Sequence, residues 1–182
     1  MQENSTAIQA NLVERNVLTM NAELASQIAE LAKQLAAHPA TYIDIPRVTQ
    51  QLLNLQSLDV NSDVAFLGYF SVLESLLVHK PDPKDPNDSI TRQVKKKITL
   101  LDNRWTPRMD YTAFGTAKPE AIWGKMYELR SAIAHGDAPD FQSRLQMLKD
   151  RAKARSLLMS AVRAVARYAL REPQLVTDLR EC

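Results

Sequence analysis

The sequence predicts an all-α fold, and three observations carry that expectation. Of its 182 residues only 4 are Gly, Ala, Leu, Gln, Glu, Lys and Arg are abundant, and aromatics make up 6%, a composition that favours helix over sheet. Apolar residues recur every three or four positions through successive segments, the period of a helix with one buried face. Pro, Ser, Asn or Asp opens those segments and Pro or Gly closes them. A chain of 20.5 kDa has room for one domain with a core, or for one domain with a helical appendage.

Residues 5 to 37 carry Val17, Met20, Leu24, Ile28, Leu31 and Leu35 on one stripe, ended by Pro39. This first helix is long for a globular protein, so residues 1 to 60 read as an N-terminal helical extension that packs on the bundle or reaches a partner. A second helix starts near Pro46 and runs through Val48, Leu52, Leu55 and Leu58. Asn61 or Ser62 caps a third over 63 to 79, apolar on most faces from Val64 to Val78 and so central and most buried. Lys80 to Asn87 sets three prolines among charges and forms an exposed loop.

Ser89 or Asp88 caps a fourth helix to about Asn103, with Ile90, Val94, Ile98 and Leu101 on one side and Lys95, Lys96 and Lys97 pointing three ways. Residues 104 to 118 show no period and form a second long connection. Pro119 opens a fifth helix that stops at Gly136. The last helix runs from near Phe141 to about Arg171, and Pro173 cuts it off from a tail over 173 to 182. The helical domain proper is thus expected over 61 to 172.

The formal net charge is +2, yet residues 141 to 182 hold nine Lys and Arg against four Asp and Glu, while residues 1 to 60 hold three against six. A basic C-terminal third suits a polyanion such as RNA, although a solvated helix face is the commoner cause of such a bias. The one cysteine, Cys182, excludes an internal disulfide and a Cys-based metal cage. With neither a secretory leader nor an apolar run near the roughly 20 residues that span a bilayer, a cytoplasmic location and no membrane partner are expected. The three His show no ligand spacing, so neither a metal nor another cofactor is expected, and His38 and His79 are most simply solvated. Trp105, Trp123 and Tyr111 could stack on bases, but core packing is the better default.

The chemistry concentrates in Tyr127-Glu128-Leu129-Arg130-Ser131-Ala132-Ile133-Ala134-His135-Gly136. Ile122, Met126, Leu129 and Ile133 form its core stripe, with Arg130 at the edge of the buried face. His135 lies about 140° round from Arg130 on an ideal helix, so the two cannot converge on one atom within one regular helix. Either Gly136 lets the last turn unwind, or a two-fold dimer brings two helix ends together. Arg then offers a donor fork to phosphate oxygens, and His exchanges a proton near neutral pH. The competing structural reading has His135 capping its own helix end and Arg130 paired with a carboxylate such as Glu74, which could equally pair with Arg92.

Arg130 to Gly136 resembles the Arg-then-His signature of the HEPN superfamily. The run Tyr127-Glu128-Leu129-Arg130-Ser131 with His135-Gly136 is most similar to its Apea-like branch. Phe70-Ser71-Val72-Leu73-Glu74-Ser75-Leu76-Leu77 and Ser89-Ile90-Thr91-Arg92 agree with that branch in the same order, so the likeness covers roughly 63 to 170. Ser131 departs from the Asn, Asp or His that commonly follows the Arg in active members.

The resemblance implies a HEPN-like helical bundle, dimerisation through the motif helices, and metal-independent RNA endonuclease activity from a composite Arg/His site, in antiviral defence or toxin-like growth arrest. Its implied catalytic residues are Arg130, His135 and Ser131, supported by Glu74 and Tyr127. Lys95, Lys96, Arg151 and Arg155 are expected to guide RNA, and a regulatory or sensor protein is a further expected partner. The alternative is a catalytically silent dimer serving as an RNA-binding, nucleotide-binding or assembly module.

Overall fold

The structure, a computed structural model, describes residues 21–39, 43–59, 61–86 and 88–182. The described residues form seven α-helices and no strand: α1 (Ala22–Ala36), α2 (Ile45–Gln56), α3 (Asp63–Leu77), α4 (Ile90–Asp102), α5 (Pro119–His135), α6 (Arg151–Arg171) and α7 (Pro173–Glu181). Single 3-10 turns occur at Thr112–Phe114 and Gln146–Leu148. The expected start of the first helix, with Val17 and Met20, lies outside the described residues. No helix among them is long and apolar enough to cross a membrane.

The chain divides between Ala37 and His38 into two compact units. In the first, Asn21 caps α1 by accepting from the Leu24 amide at 2.7 Å, and Gln34 donates to Glu30 one turn away at 3.0 Å. The second unit, from His38 on, contains α2 to α7. Its α2 lies against α3, so residues 45–56 pack within the bundle unit.

The apolar run of α3 dictates the architecture of that unit. Phe70, Leu73, Leu76 and Leu77 are fully buried, each burial contributing about 1.5–3 kcal/mol, and α3 contacts α2, α4, α5, α6 and α7 in turn. Ser62 and Ser89 cap α3 and α4 by accepting from Ala65 and Arg92 amides, as the sequence suggests. Contacts set the directions: Phe70 meets Tyr127 and Glu74 meets Arg130, so α5 runs alongside α3 in the same sense. Lys95 lies over Gly124 while Thr91 neighbours Tyr127, so α4 runs opposite to α5.

The structure differs from the sequence expectation at four places. Residues 141–150 form turns rather than the start of the last helix. There the Asp140 carboxylate takes the Gln142 and Ser143 amides, Lys149 has φ 66°, and Asp150 caps α6 at Lys153. Residues 173–181 form α7 rather than a tail, because Pro173 suits a first helical turn and Val176 is fully buried.

The other two differences concern polar groups. His38 bonds Ile43 O at 2.8 Å, and His79 bonds Asp88 at 3.1 Å and Arg180 O at 2.9 Å, so neither imidazole is simply solvated. Of the three successive lysines Lys97 is buried, donating to Arg180 O at 2.9 Å and Gln93 Oε1 at 3.3 Å. The bond to Arg180 O ties α7 to α4, while the bond to Gln93 stays within α4.

Candidate functional site at the end of α5

The core stripe of α5 is the expected one: Ile122, Met126 and Leu129 are fully buried and Ile133 nearly so. Trp123 is buried as well, its indole Nε1 donating to Tyr111 Oη at 3.2 Å, which makes it a core residue. Burial pushes the Tyr111 phenol up to about 12. Trp105 is 8% exposed and packs edge-on to Tyr168.

Arg130 projects from the rim of this stripe toward α3. Its Nε lies 3.4 Å from Glu74 Oε1 and its Nη2 donates to Oε2 at 3.5 Å, so the pair that the sequence suggested is present. The contact is loose: Nε and Oε1 are buried without hydrogen-bond alignment to any partner. The guanidinium also sits 5.7 Å from the Tyr127 ring centroid, and that ring packs edge-on to Phe70 at 6.3 Å.

A third of the Arg130 side chain remains exposed against 19% of Glu74, so the cation faces solvent while its counter-ion lies behind it. Burial raises the Glu74 carboxyl above its ordinary value, and Arg130 offsets only part of that. Tyr127 is likewise raised, first by burial and then by Glu74. Arg130 and then Thr91 of α4 oppose that rise.

His135 is the last residue of α5 and is exposed, with no hydrogen bond or ion pair among the described residues. The helix does not unwind before it. Gly136 adopts φ 78°, its amide bonding Ile133 O at 3.1 Å while the Asp137 amide bonds Ala132 O at 2.9 Å, which closes the helix through the backbone alone. Regular geometry therefore holds to the end, leaving His135 about 140° round and 7.5 Å along from Arg130. Ser131 sits half-buried next to Arg130. Within one chain these groups flank the helix end without sharing an atom.

The residues expected to guide RNA divide among several places. Lys95 lies across Gly124 of α5, half-buried, and Lys96 is exposed on α4. Arg151 pairs with Asp63, and Arg155 donates to Asn61 Oδ1 at 2.8 Å, both at the N-terminal end of α3. Asp63 and Glu74 are eleven residues apart on α3, about 16 Å, so these two arginines do not adjoin Arg130. Glu128, two turns before the helix end, holds Lys125 at 2.9 Å and Arg144 at 3.4 Å. Among the described residues no three His, Cys, Asp or Glu side chains group as metal ligands.

No protein-family model, no curated protein and no solved structure matches the chain.

Proposed function

We propose that this chain is a HEPN-like, metal-independent RNA endonuclease that acts as a homodimer, with Arg130 and His135 from two copies of α5 forming one composite site. The observation that carries this reading is an exposed, unengaged His135 on a backbone-capped helix end, one and a half turns beyond an Arg130 that faces solvent. Two such ends related by a two-fold axis resolve the 140° divergence and put an Arg beside a His.

The chemistry then follows from the groups. Arg130 binds the non-bridging oxygens of a phosphodiester and stabilises the charge that grows on them. His135 takes the proton of the 2′-hydroxyl as the 2′-oxygen bonds to phosphorus and the bond to the 5′-oxygen breaks, leaving a cyclic phosphate and a 5′-hydroxyl. A solvent water supplies the proton to the leaving oxygen and takes back the one held by His135, whose part in the transfer contributes about 10²- to 10⁴-fold in rate. Ser131 hydrogen-bonds the phosphate beside Arg130. Glu74 and Tyr127 fix the guanidinium. Growth arrest or antiviral defence under a sensor partner is the setting in which such an activity fits.

The Arg130–Glu74 pair favours a second reading, because a guanidinium neutralised by its own chain suits a catalytically silent dimer that binds RNA or nucleotide or assembles with a partner. Incubating the purified chain with single-stranded RNA in EDTA separates the two. Cleavage that disappears in Arg130→Ala and in His135→Ala supports the nuclease. RNA binding without cleavage, surviving His135→Ala, replaces it with the silent module.

A further inference from the structure

A second set of cations lies on α6. From Arg151 to Arg171 the helix carries six Lys and Arg and no carboxylate. Three are engaged at its N-terminal end: Arg151 with Asp63, Arg155 with Asn61 and Lys153 with Asp150 at 3.0 Å. Arg163, Arg167 and Arg171 are exposed and pair with no carboxylate among the described residues. At 1.5 Å and 100° per residue they follow one another about 6 Å apart within an arc of about 80°. Continued toward the N-terminus, the same arc holds Ser160, Ser156 and Lys153, a polar row about 27 Å long.

The far end of that row is the wall of a cleft of about 210 Å³ between α6 and the turn at 109–114. Met109, Phe114 and Leu157 make an apolar floor, and Ser156 and Ser160 line the rim. Opposite them stands Asp110, whose carboxyl is held below its ordinary value by the Thr112 hydroxyl and amide, so it is an acceptor. Attraction of Arg171 to the helix C-terminus accounts for one of the three arginines and not for a row that leads into a cleft.

We propose that this face of α6, with the 109–114 turn, binds single-stranded RNA, phosphates lying along Arg163, Arg167 and Arg171 and one base entering the cleft. A single strand can set successive phosphates against successive guanidiniums and swing a base onto an apolar floor, where Ser hydroxyls and the Asp110 carboxylate meet its polar edge. Stiff duplex bases are stacked away from such a floor. The inference rests on the nuclease reading only in taking RNA as the polyanion.

The test measures binding of a labelled oligouridylate to the full-length His135→Ala chain by fluorescence anisotropy over a range of salt. Three lost phosphate contacts in R163Q/R167Q/R171Q should lower the slope of log K against log salt by about 2, which is roughly 100-fold in affinity at 0.1 M salt. Ser160→Trp, which fills the cleft, should weaken RNA binding while leaving inorganic polyphosphate binding unchanged. An unaltered slope in the folded triple variant overturns the proposal. So does polyphosphate bound as tightly as RNA, or capture by phosphatidylserine vesicles in place of RNA. Cleavage by the unmutated chain is scored separately: no cleavage with the expected salt slope removes the nuclease reading and leaves this surface standing.

Discussion

Replacing Glu74 by Gln keeps the shape of the side chain and an oxygen for the Arg130 guanidinium, and removes one charge. Unit charges 3.4 Å apart attract by about 5 kcal/mol in an effective dielectric of about 20. With a third of Arg130 in water, solvent screening brings the net worth of the pair down to roughly 0–1 kcal/mol. Burial of Glu74 acts in the opposite sense and is the larger influence, since its carboxyl is raised above 4.5 despite the adjacent cation. The folded protein therefore carries a penalty for ionised Glu74, and at neutral pH Glu74→Gln should be as stable as the parent or up to about 1 kcal/mol more stable.

The pH dependence has a definite sign. Between 4.5 and the raised folded value the native state binds more protons than the unfolded chain, so the contribution of Glu74 is full below 4.5 and is lost as pH rises through the folded value. The advantage of the Gln variant should grow over that window and vanish below 4.5. Urea melts of both proteins at several pH values measure it. A loss of about 2 kcal/mol or more at pH 7, of the kind expected when a tight buried pair is broken, or a difference independent of pH, would refute the reasoning. In RNA cleavage the same change frees Arg130 for phosphate, so KM should fall while kcat stays within a few-fold.

Gly136→Ala should cost about 1 kcal/mol, because φ 78° is strained for any residue with a Cβ while that Cβ would touch nothing within 4 Å. Thermal melting should fall by roughly 2–4 °C, with Gly136→Asn losing less, and an unchanged midpoint in the Ala variant would contradict the capped end. Lys97→Met should change stability by less than about 1.5 kcal/mol, since Arg180 O keeps the His79 Nδ1 contact and Gln93 Oε1 keeps the His79 amide. Burial lowers Lys97 below 10.5, so its charge costs stability below the folded value and that cost fades as pH rises toward 10.5. Any stabilisation by Met should shrink over that range in chemical denaturation, and one that grew with pH would contradict it.

Local signals in the sequence marked most of the bundle unit. Ser62, Ser89, Pro119 and Gly136 act through bonds or dihedrals within their own segments, so they fix helix ends without knowledge of the fold. Leu145 and Leu148 misled, since helical spacing extended the last helix backward while Asp140 and Asp150 bound nearby amides and stopped it. Lys97 and His79 were illegible for a different reason. Their partners, Arg180 O and Asp88, come from other elements, and no local pattern shows that a carbonyl of α7 arrives there.

At the site, the Arg130–Glu74 pair was foreseeable, because a carboxylate amid Val72, Leu73, Leu76 and Leu77 needs a cation. The α6 cations were visible only as a composition. Which of them spend their charge on Asp63 and Asn61, and which stay in a free row, depends on where the start of α3 meets α6.

The composite site is tested most directly by mixing two inactive variants. In a heterodimer of Arg130→Ala and His135→Ala chains, one Arg130 and the His135 of the other subunit remain intact and face each other across the two-fold axis. Co-refolding the pair should restore RNA cleavage in EDTA to an appreciable fraction of the parent rate, while each variant alone stays silent. Two active single variants, or a mixture as inactive as its parts, would contradict a site shared between two copies of α5.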